Sequence, residues 1–193
     1  MQKSGTVMKK KMPKLKTERL ILRPFELSDA EKVRKLAGDR AIADTMLNVP
    51  HPYKKGIAEE WISKHKSKFE TRGSVHLAIT LKSTGEVIGA IGLHTKKRNN
   101  RAELGYWIGK DYWGQGYCTE AARAIVEYGF SQLKLNKITS SHFLRNPSSG
   151  KVMRKIGMKK EGFFEEHVIK WDKYEDLIKY AALRKNWEKN KKS

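Results

Sequence analysis

Two hydrophobic periods alternate along this chain, and the switches between them mark its elements. Residues 19–23 place Leu20 and Leu22 on one side of an extended run that Pro24 closes, which predicts a strand. Ser28-Asp29 offers a helix cap, and Val33, Leu36 and Ala37 behind it share one helical face. Two prolines and an asparagine within 48–53 read as a loop, and a second helix over 56–70 turns Ile57, Trp61 and Ile62 inward. Segments 75–81 and 86–93 form a predicted hairpin across Lys82-Ser83-Thr84-Gly85. Asn99-Asn100 then turns the chain into a strand over 101–108. A helix over 118–133 follows, its apolar face made by Ala121, Ala122, Ile125, Val126, Phe130 and Leu133. A strand at 137–143, a helix at 147–156 and two strands near 159–171 and 174–183 complete the pattern. With no repeat and no long linker, this order predicts one α/β domain over 17–184.

The junction between the strand at 101–108 and the helix after it carries the most specific chemistry. Gly114 and Gly116 stand one residue apart in Trp113-Gly114-Gln115-Gly116-Tyr117-Cys118-Thr119-Glu120. Glycines there permit backbone conformations closed to other residues and leave room for an anion against free N–H groups, at the positive end of the helix dipole. A plain tight turn is the other reading of the same spacing. The loop lacks the Gly-Lys-Ser/Thr ending of a nucleotide hydrolase, and the third glycine of a dinucleotide fingerprint falls on Thr119.

Charge and composition narrow the class. The 193 residues carry a formal net charge of +20. Six lysines without an acid in residues 1–16, and five bases against Glu188 in 184–193, account for half of it. The first segment reads as a basic, disordered leader and 185–193 as a basic C-terminal tail. The remaining excess favours anionic partners, such as nucleic acid, ribosomes or phosphate-bearing cofactors. One cysteine cannot form an internal disulfide and suits a reducing cytoplasm. No apolar run has signal-peptide or membrane-span length, so a cytoplasmic location without membrane contact is expected. The six histidines show no close ligand spacing, and no metal is expected.

Four separated segments together resemble the GNAT superfamily of acyl-CoA-dependent N-acetyltransferases, and within it the ribosomal-protein N-acetyltransferase (RimJ/RimL-like) branch. They are Thr17-Glu18-Arg19-Leu20-Ile21-Leu22-Arg23-Pro24-Phe25 with Ser28-Asp29-Ala30; Ala102-Glu103-Leu104-Gly105-Tyr106-Trp107; the 113–121 loop; and Asn146-Pro147-Ser148-Ser149 with Lys155-Ile156-Gly157-Met158. The resemblance implies a three-layer α/β fold: a mixed, mostly antiparallel twisted sheet with flanking helices, in which parallel strands at 101–109 and 137–143 splay apart around acetyl-CoA.

It also implies roles for particular residues. Amide formation needs an unprotonated amine, donors for a tetrahedral oxyanion and a proton for the departing thiolate. Glu103 would accept the amine's proton, directly or through water; its plainer use is a surface ion pair. Ser149 would protonate or contact the thiolate and Asn146 would bond the pantetheine arm, although Ser and Asn around Pro147 also make a good helix start. The tyrosine that many GNAT enzymes place seven residues beyond that Asn is absent, because the position is Met153. Pantetheine would pair with Trp107, Ile108 and Gly109, and the pyrophosphate would rest on the amides of Gly114, Gln115, Gly116, Tyr117 and Cys118. Asp111 stands where the family's leading Gln or Arg falls, which removes a side-chain contact and leaves the main-chain cradle. Cys118 has no nearby His to make it a nucleophile, and Glu120 suits the helix dipole.

Substrate choice would fall to Tyr53 and Tyr174, on segments overhanging the splay. Two acceptors stay open, a protein α-amine, as of a ribosomal protein, and a small amine such as a polyamine or aminoglycoside. An α-amine with pKa near 7.8 is about a tenth neutral at pH 7, against roughly four in ten thousand for a lysine, so it needs less help from a base. A basic RNA- or ribosome-binding module without turnover is the alternative class, and monomer and homodimer are both open.

Overall fold

The computed structural model describes residues 11–190. Eight strands form one sheet: β1 (Leu15–Lys16), β2 (Leu20–Pro24), β3 (Val75–Leu81), β4 (Val87–Lys96), β5 (Arg101–Ile108), β6 (Lys137–Phe143), β7 (Lys159–Lys170) and β8 (Lys173–Leu183). Their order is β1-β2-β3-β4-β5-β6-β8-β7, and among the described residues only β5 and β6 run parallel. Six helices flank it: α1 (Ala30–Ala37), α2 (Arg40–Ala43), α3 (Ile57–Arg72), α4 (Tyr117–Ser131), α5 (Pro147–Lys155) and α6 (Arg184–Asn190). Among the described residues no helix is long and apolar enough to cross a membrane.

Alternation along the central strands sends side chains into two cores. Leu20, Leu22, Leu77, Ile79, Leu93, Ala102, Leu104 and Ile108 meet α4 and Met153 of α5 on one face. Ala78, Ala90 and Trp107 meet Val33, Leu36, Ala58 and Ile62 of α1 and α3 on the other. Val33, Leu36 and Ala37 are buried as their period requires, whereas Ile57 and Trp61 are only half-buried and Ala58, Ile62, His65 and Phe69 form the inner stripe of α3. Asp29 stands at the start of α1 without capping it. Its carboxylate turns back to Arg23 at 2.7 and 2.8 Å and accepts the Glu26 N–H.

The ends differ from expectation. Leu15–Lys16 pairs with Ile21 and Leu22, and Met12 and Leu15 pack on the core, so these residues of the segment read as a leader are part of the fold. Residues 1–10 lie outside the described residues. The segment read as a tail is helical to Asn190, and Trp187 packs its ring 5.4 Å from that of Phe130.

Three histidines far apart in sequence meet on the α1/α3 face. His65 stacks on His76 with ring centroids 4.6 Å apart, and Nε2 of His76 lies 3.4 Å from Nδ1 of His94 on the neighbouring strand. Burial holds His65 down to about 4 and His76 to about 2, and both rings stay neutral within the core. In the unfolded chain both imidazoles titrate near 6.5. Unfolded molecules therefore bind protons that folded ones refuse, and stability present above pH 6.5 is lost as the pH falls toward 4. Urea unfolding at pH 7 and pH 5 should show a loss of about 2 kcal/mol for each imidazole, and a His65→Phe/His76→Phe protein should lose most of that slope whatever its absolute stability.

Candidate active site

The parallel pair is short. β5 and β6 are in register only over Arg101↔Lys137, Ala102↔Ile138 and Glu103↔Thr139, while β6 goes on pairing with β8 as far as Phe143↔Leu177. Thr139 Oγ1 and Ser140 Oγ donate to the carbonyls of Ala102 and Leu104, so even-numbered residues of β5 aim their main-chain groups at β6. The next in that series is Tyr106, beyond the last paired residue. Its main-chain groups and the Ile108 N–H therefore face the gap. The Ile108 carbonyl is taken by the Trp113 indole at 2.7 Å.

This alters the expected pantetheine positions. Trp107 pairs with Ala90 on β4 and buries its ring, and Gly109 donates its N–H to the Ile88 carbonyl at 2.9 Å. Of the three residues named from the resemblance, Ile108 alone faces the gap. Tyr106 joins it, and strand parity is the signal that could have found it.

The gap leads to the glycine loop. Gly114 and Gly116 adopt φ of +75° and +81°, the left-handed region that favours glycine. Gln115 bonds the Asp111 carbonyl through Nε2, and Arg19 Nη1 holds the Gln115 carbonyl at 3.0 Å. Among the described residues, the N–H groups of Gly114, Gln115, Gly116, Tyr117 and Cys118 donate to no protein group. Five main-chain donors thus stand free at the start of α4, the arrangement an anion requires. The Cys118 thiol is pushed up to about 12 by burial, which keeps it protonated and inert. Glu120 does more than suit the dipole: it accepts from Thr17 Oγ1 at 2.6 Å, Arg19 N–H at 2.8 Å and Arg19 Nε at 2.7 Å.

Glu103 lies at the point where β5 and β6 part. It is exposed, makes no ion pair among the described residues, and stands opposite His94 in the β4–β5 register. By strand parity it shares the α1/α3 face with Gly105 and Trp107. On the opposite side of β5, the Tyr106 hydroxyl reaches Ser149 Oγ at 2.9 Å and its carbonyl at 3.0 Å. Burial, then the neighbouring Cys118, raises the Tyr106 phenol, and the bond to Ser149 only partly opposes them. Asn146 Oδ1 accepts the Ser149 N–H and caps α5, so it serves the plainer use of that motif. Met153 fills the core where the resemblance would place a tyrosine.

Two open depressions, of about 420 and 510 Å³, lie against the loop at 47–53. Tyr53 lines the larger with Glu31, Arg34 and Asp39; the other lies between His51, Ile169 and Trp171. Tyr174 sits on the outer hairpin, largely exposed, and lines neither, so the two tyrosines are not brought together. Lys170 ties that hairpin to the loop after α2, donating to the Met46 and Val49 carbonyls at 2.8 Å. Arg145, just before Asn146, binds Glu175 at 2.8 Å and Asp44 at 2.6 Å. No group of three or more potential metal ligands occurs among the described residues.

A divided parallel pair beside a glycine loop with free donors is the frame of an acyl-CoA acyltransferase. Residues 19–159 match the family model described as the acetyltransferase (GNAT) domain, and the chain belongs to that family. It is 30% identical over 172 residues to the uncharacterized N-acetyltransferase YnaD of Bacillus subtilis, covering 89% of this chain and 97% of that one. YdaF of the same organism, provisionally named a ribosomal N-acetyltransferase, is 27% identical, with 90% and 96% covered. A GNAT-family acetyltransferase structure from Bacillus anthracis superposes with a TM-score of 0.81 at 26% identity, over 90% of this chain and 99% of that one. The protein is an acetyl-CoA-dependent N-acetyltransferase with the mixed sheet of its family.

A side chain at either loop glycine meets a backbone conformation that it strains. Gly114→Ala has open space around it, so its cost is conformational, about 1 kcal/mol. Differential scanning calorimetry should register a fall in Tm of about 2–4 °C, the shift expected of a domain this size.

Proposed function

We propose that this enzyme acetylates a protein N-terminal α-amine, of the kind a ribosomal protein presents, by direct attack within a ternary complex. The observation that carries the reading is the alignment of three unmet features: the free N–H row at 114–118, the unpaired main-chain edge at Tyr106 and Ile108, and Glu103 on the open face where the strands part. The diphosphate of acetyl-CoA would lie on the first, its pantetheine arm would add to the second as an extra strand, and the thioester would end near the third.

The amine nitrogen then attacks the thioester carbonyl, the carbon–sulfur bond breaks, and the amine's proton passes to Glu103, directly or through one water. A β5 N–H facing the gap stabilises the oxyanion. The departing thiolate takes a proton from the Ser149 hydroxyl, Tyr106 passes its own to Ser149 through their shared bond, and the phenol regains a proton from solvent before the next turnover. Because Tyr106 stays protonated, the pair can serve as a donor throughout the neutral range.

The ribosomal acceptor is supported by the RimJ/RimL-like motifs, by the provisional name of YdaF, and by a formal charge of +20 that favours an anionic assembly over a free polycation. Work in the cytoplasm, with association to ribosomes through the basic surface, follows from the same argument.

Incubation with acetyl-CoA and a panel of α-amine peptides, polyamines and aminoglycosides, read by free thiol release, tests the acceptor. Selective turnover of α-amine peptides is expected; a preference for polyamines or aminoglycosides would transfer the assignment to a small amine. Glu103→Gln should keep the rise in Tm that CoA produces and lose about 10²- to 10⁴-fold in kcat. Unchanged turnover would take the base role away from Glu103.

A further inference from the structure

The turn between β1 and β2 grips the first turn of α4 through a carboxylate. Thr17 Oγ1 and the Arg19 N–H both donate to Oε1 of Glu120, at 2.6 and 2.8 Å, and the Arg19 guanidinium binds Oε2 through Nε and Nη2, at 2.7 Å each. The same guanidinium reaches forward to the Gln115 carbonyl at 3.0 Å, lies over the Tyr117 ring at 4.6 Å, and has Nη2 3.5 Å from where a Cβ on Gly116 would stand. One arginine therefore touches three consecutive residues of the glycine loop as well as the helix behind it.

Glu120 presents a problem that this contact solves. It sits one turn beneath the five free N–H groups, and a bare carboxylate there would repel the diphosphate those groups invite. Burial works to raise its pKa, but the bonds from Thr17 and Arg19 outweigh it, and the group remains ionised. The Gln115 carbonyl presents a second problem, because an acceptor turned into the cradle would oppose an anion; the Nη1 bond draws it toward Arg19.

We infer that Arg19 is a positioning residue for the diphosphate of acetyl-CoA: it cancels the charge of Glu120 and fixes the Gln115 carbonyl so that only donors face the ligand. The inference rests on the acetyl-CoA reading given above and adds to it a residue 95 positions upstream of the loop. Its effect should be confined to the phosphate end of the cofactor, since Arg19 touches the loop and α4 and nothing on β5.

Calorimetric titration with CoA, and NMR titration with pantetheine, which lacks the phosphates, separate this from a general structural role. Arg19→Met should weaken CoA at least tenfold and leave pantetheine within twofold. Arg19→Met/Glu120→Gln, which removes both charges but still lacks the bond to Gln115, should recover from the level of Arg19→Met to that of Arg19→Lys. Arg19→Lys keeps the charge and loses the bond to Gln115, so a loss of threefold to tenfold for CoA alone is expected, and this variant serves if Arg19→Met does not fold. With acetyl-CoA as the varied substrate, the loss in Arg19→Met should appear in KM rather than in kcat. Wild-type affinity in Arg19→Met, equal losses for CoA and pantetheine, or a double variant as weak as the single one would each overturn the inference. A wild-type protein that binds no CoA would instead overturn the underlying reading.

Discussion

A main-chain hydrogen bond left unmade is the constraint around which this molecule is organised. Every strand pair except one is joined along most of its length. β5 and β6 hold together for three residues and then part, because β6 stays with β8 while β5 stays with β4. Peptide groups along the exposed edge must find water or a ligand. The side chains nearest the fork show how narrow the opening is kept: Thr139 and Ser140 each cap a β5 carbonyl, and Trp113 caps that of Ile108. What remains unpaired is a short edge of defined direction leading from the glycine loop to Glu103.

The walls beside this opening are fixed by cations as well as by apolar packing. Arg145 spans Asp44 on the loop after α2 and Glu175 on β8, so the first helices and the last hairpin are bolted to the segment that starts α5. Charged pairs at such half-exposed positions contribute little to stability individually. Their worth here is geometric, since they join elements more than a hundred residues apart around one opening. The same holds for Arg19 and Glu120, which join the first hairpin to the cofactor loop.

The sequence made the repetitive part of this structure legible. Strands β3, β5 and β6 begin and end where alternation and the turn residues around them place them, and the Gly-x-Gly step lies between strand and helix as its chemistry requires. What escaped was short or non-local. β1 and α2, at two and four residues, are too brief to show any period. α6 is masked by its own lysines, with Trp187 its sole large apolar anchor. The stack of His65, His76 and His94 draws on three separate elements, so no spacing within one element reveals it. Tyr106 was visible as a letter in a motif, but its bond to Ser149 depends on which face of β5 meets α5. At the site, the loop was legible from local chemistry, whereas Glu103 was named from the family resemblance; the unequal standing of Trp107, Ile108 and Gly109 depended on strand parity and on the Trp113 indole.

Lys170 has a consequence of a different kind. An enzyme this rich in amines works beside a reactive thioester, and its surface lysines are open to slow, uncatalysed acylation by its own co-substrate. Lys170 is 5% exposed and spends its ammonium protons on the carbonyls of residues 46, 47 and 49. Loss of its charge by acylation would unfasten the hairpin; burial lowers the pKa of this ammonium, yet the same burial keeps an acyl donor from reaching the nitrogen. The strap is thereby protected from the chemical ageing its neighbours undergo, and peptide mapping of long-stored enzyme would find this lysine among the last to be modified.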